Sequence, residues 1–150
     1  MPVLTNFDQI EPISVTTGVM RQALITKDRV GSDFIQLDRL TFESGTSTEV
    51  RVAETDLAWF QILEGTAALN GSEGHHKLND SNVIFLPPKF EGNIDTEKGA
   101  VILYGGIPRA DRFDPNFQSS QLGFRCVNWR EEPILDSEHD ARKRIYLVTP

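Results

Sequence analysis

Short runs of β-branched, aromatic and alternating side chains follow one another along the chain, and Gly, Asn, Asp or Pro separates them at short intervals. That pattern predicts an all-β sandwich or barrel. The runs are 13–17, 20–26, 34–42, 48–53, 57–63, 66–69, 76–78, 82–86, 92–95 and 100–105. In Phe34-Ile-Gln-Leu-Asp-Arg-Leu-Thr-Phe42 the period of two is visible, yet both faces are mixed and neither is marked as the inner one. Asn70-Gly71 reads as a hairpin turn. Beyond Tyr104 the character changes. Residues 105–120 read as a long irregular connection, 122–129 as another strand, 133–144 as a short helical turn with Ser137 as N-cap and Asp140 as its third-position acid, and 145–148 as a terminal strand.

The chain has 150 residues, enough for one sizeable core, so a single domain is expected, with a barrel core over about 34–105 and a loop and extension over 106–150. A net charge of −7 opposes binding modes that neutralise phosphates with a basic surface, which argues against nucleic acid and anionic membranes as partners. No apolar run approaches the roughly 20 residues that span a bilayer. The first ten residues lack the basic start and apolar stretch of a secretory signal, so a cytoplasmic location is expected. Cys126 is the single cysteine, which excludes an internal disulfide and a Cys-rich metal site; it reads as an apolar filler.

Residues 45–104 resemble the cupin family, antiparallel jelly-roll barrels that hold a metal through two motifs. In the first motif a glycine is followed after five residues by His-x-His, then by a glutamate, and six residues later by a closing glycine. Gly45 and Gly65 match the framing glycines, and Ile62-Leu-Glu-Gly65 resembles the strand end and turn. The histidine positions fall on Arg51 and Ala53, and the glutamate position on Ala58. The second motif is matched by Ser81-Asn-Val-Ile-Phe-Leu-Pro87, with its histidine position on Gly92. The resemblance therefore implies a jelly roll of the RmlC-like kind whose four ligand positions are replaced, with no metal and no cofactor.

Methyl groups and a bare backbone offer a cation no lone pairs, and a guanidinium repels one. If Arg51 faces inward, as the alignment implies, it is placed to clamp a small carboxylate or phosphate. The competing reading pairs it with Glu49 or Glu54, or turns it to solvent. Phe60, Phe90 and Tyr104 are the expected pocket walls, with the Tyr104 hydroxyl as a polar handle; each also suits plain core packing. His75-His76 is the one adjacent histidine pair, but neighbours on a strand point to opposite faces, so it reads as an exposed hairpin, with Glu73 and Asp80 close by in sequence.

These observations favour a metal-free binding or structural module. A metal-independent isomerase, epimerase or lyase is the first alternative, and an inactive half of a two-cupin oxygenase or hydrolase the second. A homodimer formed by strand exchange or sheet extension is the expected assembly.

Overall fold

The computed structural model describes residues 3–114, 116–118, 123–136 and 143–145. Its strands are β1 (Ile13–Thr16), β2 (Val19–Ile25), β3 (Gln36–Phe42), β4 (Thr46–Arg51), β5 (Leu57–Gly65), β6 (Ala67–Gly71), β7 (Gly74–Leu78), β8 (Asn82–Leu86), β9 (Glu91–Thr96), β10 (Ala100–Ile107), β11 (Arg125–Asn128), β12 (Leu135–Asp136) and β13 (Lys143–Arg144). Among the described residues one short α-helix, α1 (Lys27–Val30), closes on Gly31, whose positive φ of 70° suits a residue without a Cβ.

Two antiparallel sheets form the body. One runs β1-β2-β3-β10-β5-β8-β11, the other β4-β9-β6-β7. From β3 onward the chain passes repeatedly from one sheet to the other, as in a jelly roll. Between the sheets lies one apolar core, in which Leu40, Phe42, Phe60, Ile62, Ile84 and Ile102 of the larger sheet meet Val50, Leu69, Leu78 and Ile94 of the smaller. Phe60, Ile62, Ile84, Ile94 and Ile102 are fully buried. Each such side chain contributes roughly 1.5–3 kcal/mol over leaving it in water.

Register fixes the faces, because cross-strand partners share a side of the sheet. Leu40 pairs with Ile102 and Phe42 with Ala100, so the even-numbered residues of β3 point inward. The outer face of the larger sheet is also largely apolar, with Leu37, Trp59, Val83, Phe85, Val101 and Leu103 in the alternate positions.

Three expectations from the sequence need correction. Asn70-Gly71 is not the turn: Gly71 pairs with Gly74, the loop is Ser72-Glu73, and Asn70 sits in the strand opposite His75. The long connection starts later than residue 105, because β10 continues to Ile107 and a 3₁₀ turn, Ala110–Arg112, follows. In the segment read as a helical turn, Leu135–Asp136 and Lys143–Arg144 instead form a small paired ribbon. Ser137, Asp140 and residues 146–148 of the expected terminal strand lie outside the described residues.

Candidate functional site

At one end of the larger sheet, two rows of inner-face residues lie side by side. One row is Gln36, Gly106, Ala58 and Leu86; the next is Asp38, Tyr104, Phe60 and Ile84. The glycine and the alanine leave space where their neighbours would fill it, since a Cβ at Gly106 would meet nothing nearer than 4.0 Å. The result is a cavity of about 160 Å³, bounded by Gln36, Arg51, Val52, Asp56, Ala58, Tyr104 and Gly106 among others. By liquid volume this is room for about five water molecules or one small organic molecule.

Two connections bring Asp56 to this end. The backbone N–H of Arg109 donates to Asp56 Oδ1 at 3.0 Å. Beside it, the Ala110 N–H donates to the Thr55 carbonyl at 2.7 Å. The loop after β10 is thereby clipped onto the loop after β4. Burial, followed by the negative charges of Asp38 and Asp56, pushes the Tyr104 phenol up to about 12. At neutral pH Tyr104 is therefore a hydrogen-bond donor and no base.

Deeper on the inner face, Asp38 carries a raised pKa, chiefly because burial disfavours its charge, with Arg21 pulling the other way. The Arg21 Nε to Asp38 Oδ2 contact is 2.8 Å, with side-chain exposures of 37% and 14%. Asp38 Oδ1 is buried without a hydrogen-bond partner. Asp38, Asp56, Gln36 and Arg21 were not singled out from the sequence. The polar entries at positions 36 and 38 in an otherwise apolar alternation were the signal that could have found two of them.

The four residues expected at the site divide. Tyr104 lines the cavity. Arg51 also lines it, but only at its rim. Of the two readings of Arg51, the inward one that the alignment implies fails and the pairing with Glu49 holds: Val50 and Val52 are buried, and Arg51 between them is 64% exposed at its side chain. Alternation along the strand allows one face to be buried, and two valines gain more from burial than a guanidinium, which would lose its hydration. Arg51 Nε donates to Glu49 Oε1 at 2.7 Å, and Glu91 lies 3.9 Å from the same guanidinium. Phe60 and Phe90 are core residues that do not border the cavity. The Phe90 ring stacks on Phe124 at 6.1 Å. It also fills the space above Gly71 and Gly92, where an added Cβ would come within 3.0 Å of it.

The positions that the family resemblance assigns to metal ligands can now be judged by their chemistry. Ala53 is exposed, Ala58 is a buried methyl, and Gly92 lies under the Phe90 ring. Their inward neighbours are Val50, Val52 and Phe60. None of these side chains has a lone pair for a divalent ion, so the residues present do not fit the metal of the family. Among the described residues no three His, Cys, Asp or Glu side chains converge on one point. The adjacent histidines point to opposite faces: His76 packs against Phe124 at 4.8 Å inside, and His75 lies outside.

No protein-family model matches the chain, and neither does any curated protein. Solved structures do. YlbA from E. coli superposes with a TM-score of 0.70 at 11% identity, over 89% of this chain and 54% of that one. An RmlC-like cupin from Shewanella frigidimarina gives 0.58 at 18% identity, over 71% of this chain and 91% of its own. The chain has a cupin fold. KdgF from Halomonas sp. is a third cupin-fold neighbour, at a TM-score of 0.62 and 12% identity, matched over its whole length and 76% of this chain. The chain thus spans about half the length of YlbA and nearly all of the two smaller cupins. Among the described residues no helix is long and apolar enough to cross a membrane.

Proposed function

We propose that this cupin-fold chain is a metal-free binding module of the cytoplasm, and that its ligand is a small polar molecule seated in the cavity beside Tyr104. The observation that carries the reading is the pairing of Ala58 and Gly106 as an open floor next to a protonated phenol. Tyr104 supplies a donor, Asp56 an acceptor, and Gln36 one of each. A small carboxylate or phosphate is the second reading, favoured by Arg51 at the rim. It has to displace Glu49 from the guanidinium and to approach Asp56, so a neutral hydroxyl compound fits the local charges better.

The alternatives rest on less. Isomerase, epimerase or lyase chemistry without a metal needs a base; Tyr104 is not one, so that role would fall to the Asp56 carboxylate, which the Arg109 N–H already binds. The inactive-half reading draws support from the match to about half of YlbA. The test combines elemental analysis with melting curves of the purified protein in glycerol, acetate and phosphate. The expected result is no stoichiometric divalent metal and a rise in Tm that Tyr104→Phe reduces. One bound ion per chain overturns the metal-free reading. A rise unaffected by Tyr104→Phe and Gln36→Ala overturns the cavity. An effect of acetate or phosphate alone that Arg51→Ala removes selects the anion.

A further inference from the structure

The outer face of the β4-β9-β6-β7 sheet carries a groove of about 670 Å³. This face shares no strand with the cavity beside Tyr104 except β4, at whose far end Arg51 lies. Cross-strand pairing lines up Ser47, Asp95, Ala68 and Lys77 in one row and places Asn70 opposite His75 in the next. One hydrogen bond links the rows and a second runs within the latter: Asn70 Nδ2 donates to Asp95 Oδ2, and Asn70 Oδ1 meets His75 Nδ1.

The order of these bonds is chemically determined. An ionised carboxylate only accepts, so Asn70 must turn its amino group to Asp95 and its oxygen to His75. That oxygen also only accepts, so the hydrogen of a neutral imidazole sits on Nδ1 and the lone pair on Nε2. A solvated sheet face would leave these rotors free. Here they form a fixed chain, and Ala68, with only a methyl between Asp95 and Lys77, keeps the groove open beside it. Lys77 has no ion-pair partner among the described residues.

We propose that this groove binds a short neutral saccharide, gripped between Asp95, His75 and Lys77. Hydroxyl groups both donate and accept, so a polyhydroxylated molecule can give hydrogens to Asp95 and His75 Nε2 while accepting them from Lys77 and the second amino hydrogen of Asn70. The volume lies within the range of small-molecule sites. Carboxylates and an ammonium side by side disfavour a strongly charged ligand of either sign, and the lining has no Phe, Tyr or Trp to hold an apolar one.

The test is a titration of the ¹⁵N-labelled full chain with maltose, cellobiose and sucrose up to tens of millimolar, with glycerol and acetate as controls. At least one disaccharide is expected to shift amides of β6, β7 and β9 saturably. His75→Ala and Asp95→Asn are each expected to weaken that binding about tenfold, the loss of one hydrogen bond to a charged or strongly polar group. The spectra of both variants report that they remain folded. An unliganded wild type with the Nδ1–H tautomer at His75 but no shift with any of the three sugars overturns the proposal and leaves the hydrogen-bonded chain a purely structural brace. Shifts at Gln36 and Tyr104 in place of the groove also overturn it, while supporting the cavity. Binding that neither substitution weakens overturns it as well.

Discussion

Tyr104 on β10 and Asp38 on β3 are direct cross-strand partners whose side chains share the inner face, a phenol beside a carboxylate in a place that disfavours charge on either. The charge of Asp38 raises the phenol's cost of ionising, whereas burial raises that of Asp38. The neutral phenol and the carboxylate with an unpartnered buried oxygen lie together at this end of the core, and the cavity opens there.

The phenol titration follows from that pairing. With Tyr146→Phe removing the second tyrosine, ultraviolet absorbance should report a single midpoint near 12, against an ordinary 10.0. Asp38→Asn should lower the midpoint while leaving it above 10.0, since burial is the larger cause. Because the folded pKa lies above the unfolded one, the folded state keeps its proton longer. Tyr104 therefore contributes stability that is fully present below pH 10.0 and is lost as pH rises toward about 12. The loss is on the order of 2–3 kcal/mol. A midpoint at the ordinary value would refute the burial.

Arg21 and Asp38 make a second, separable prediction. The pair is partly buried, and Asp38 ionises only at some cost, so its charge is tolerated because Arg21 is present. Arg21→Met alone should destabilise by roughly 2 kcal/mol, because it strands a carboxylate. The double change Arg21→Met with Asp38→Leu should recover most of that loss. Urea unfolding of the three proteins is the measurement. A double variant less stable than the single one would show that the ion pair itself holds the sheet.

The strand succession was legible because turn residues punctuate it: each of the strands from β1 to β11 overlaps a run marked by composition alone. Which face points inward was not. In β3, β5, β8 and β10 the outer positions carry Leu37, Trp59, Phe85 and Leu103, so apolarity does not separate the faces, and register with a neighbour strand is needed to do so. The same gap left the side of Arg51 open between the alignment and a surface ion pair. Its flanking valines outweigh it by burial, a comparison that an ungapped motif alignment does not make. Tyr104 was identified from its own strand, whereas Asp56 reaches the cavity through a clip from Arg109, more than fifty residues away in sequence. Asn70 was hidden by its own chemistry, since Asn-Gly is a turn signal and here the turn forms two residues later.

Cys126 offers a check on the interior of the larger sheet. It pairs with Ile84 and packs against the core, and burial pushes its thiol up. The thiolate is the reactive form, so a disulfide reagent at mildly alkaline pH should label it at least about tenfold more slowly than it labels the urea-unfolded chain. Sub-denaturing urea should accelerate labelling in step with local opening of the β8–β11 edge. Immediate stoichiometric labelling of the native protein would mean that β11 does not cover this part of the core.

The two glycines that frame the first motif, Gly45 and Gly65, share a left-handed backbone, with φ of 71° and 78°, but not a setting. Nothing lies within 4 Å of a Cβ built at Gly45, whereas one at Gly65 would stand 2.3 Å from the Gly99 carbonyl oxygen. Gly45→Ala therefore costs only the backbone term, about 1 kcal/mol. Gly65→Ala adds a collision with the main chain of the loop that leads into β10, and should cost about 3 kcal/mol or more. Since Ala100 pairs with Gly65 at that point, the backbone can relieve the collision only by opening the β5–β10 ladder, the same ladder that holds Tyr104 beside Phe60. Gly65→Ala should thus also lower the Tyr104 titration midpoint, and Gly45→Ala should not. Equal losses of stability in the two variants would show that close approach of the two strands is not what the second glycine serves.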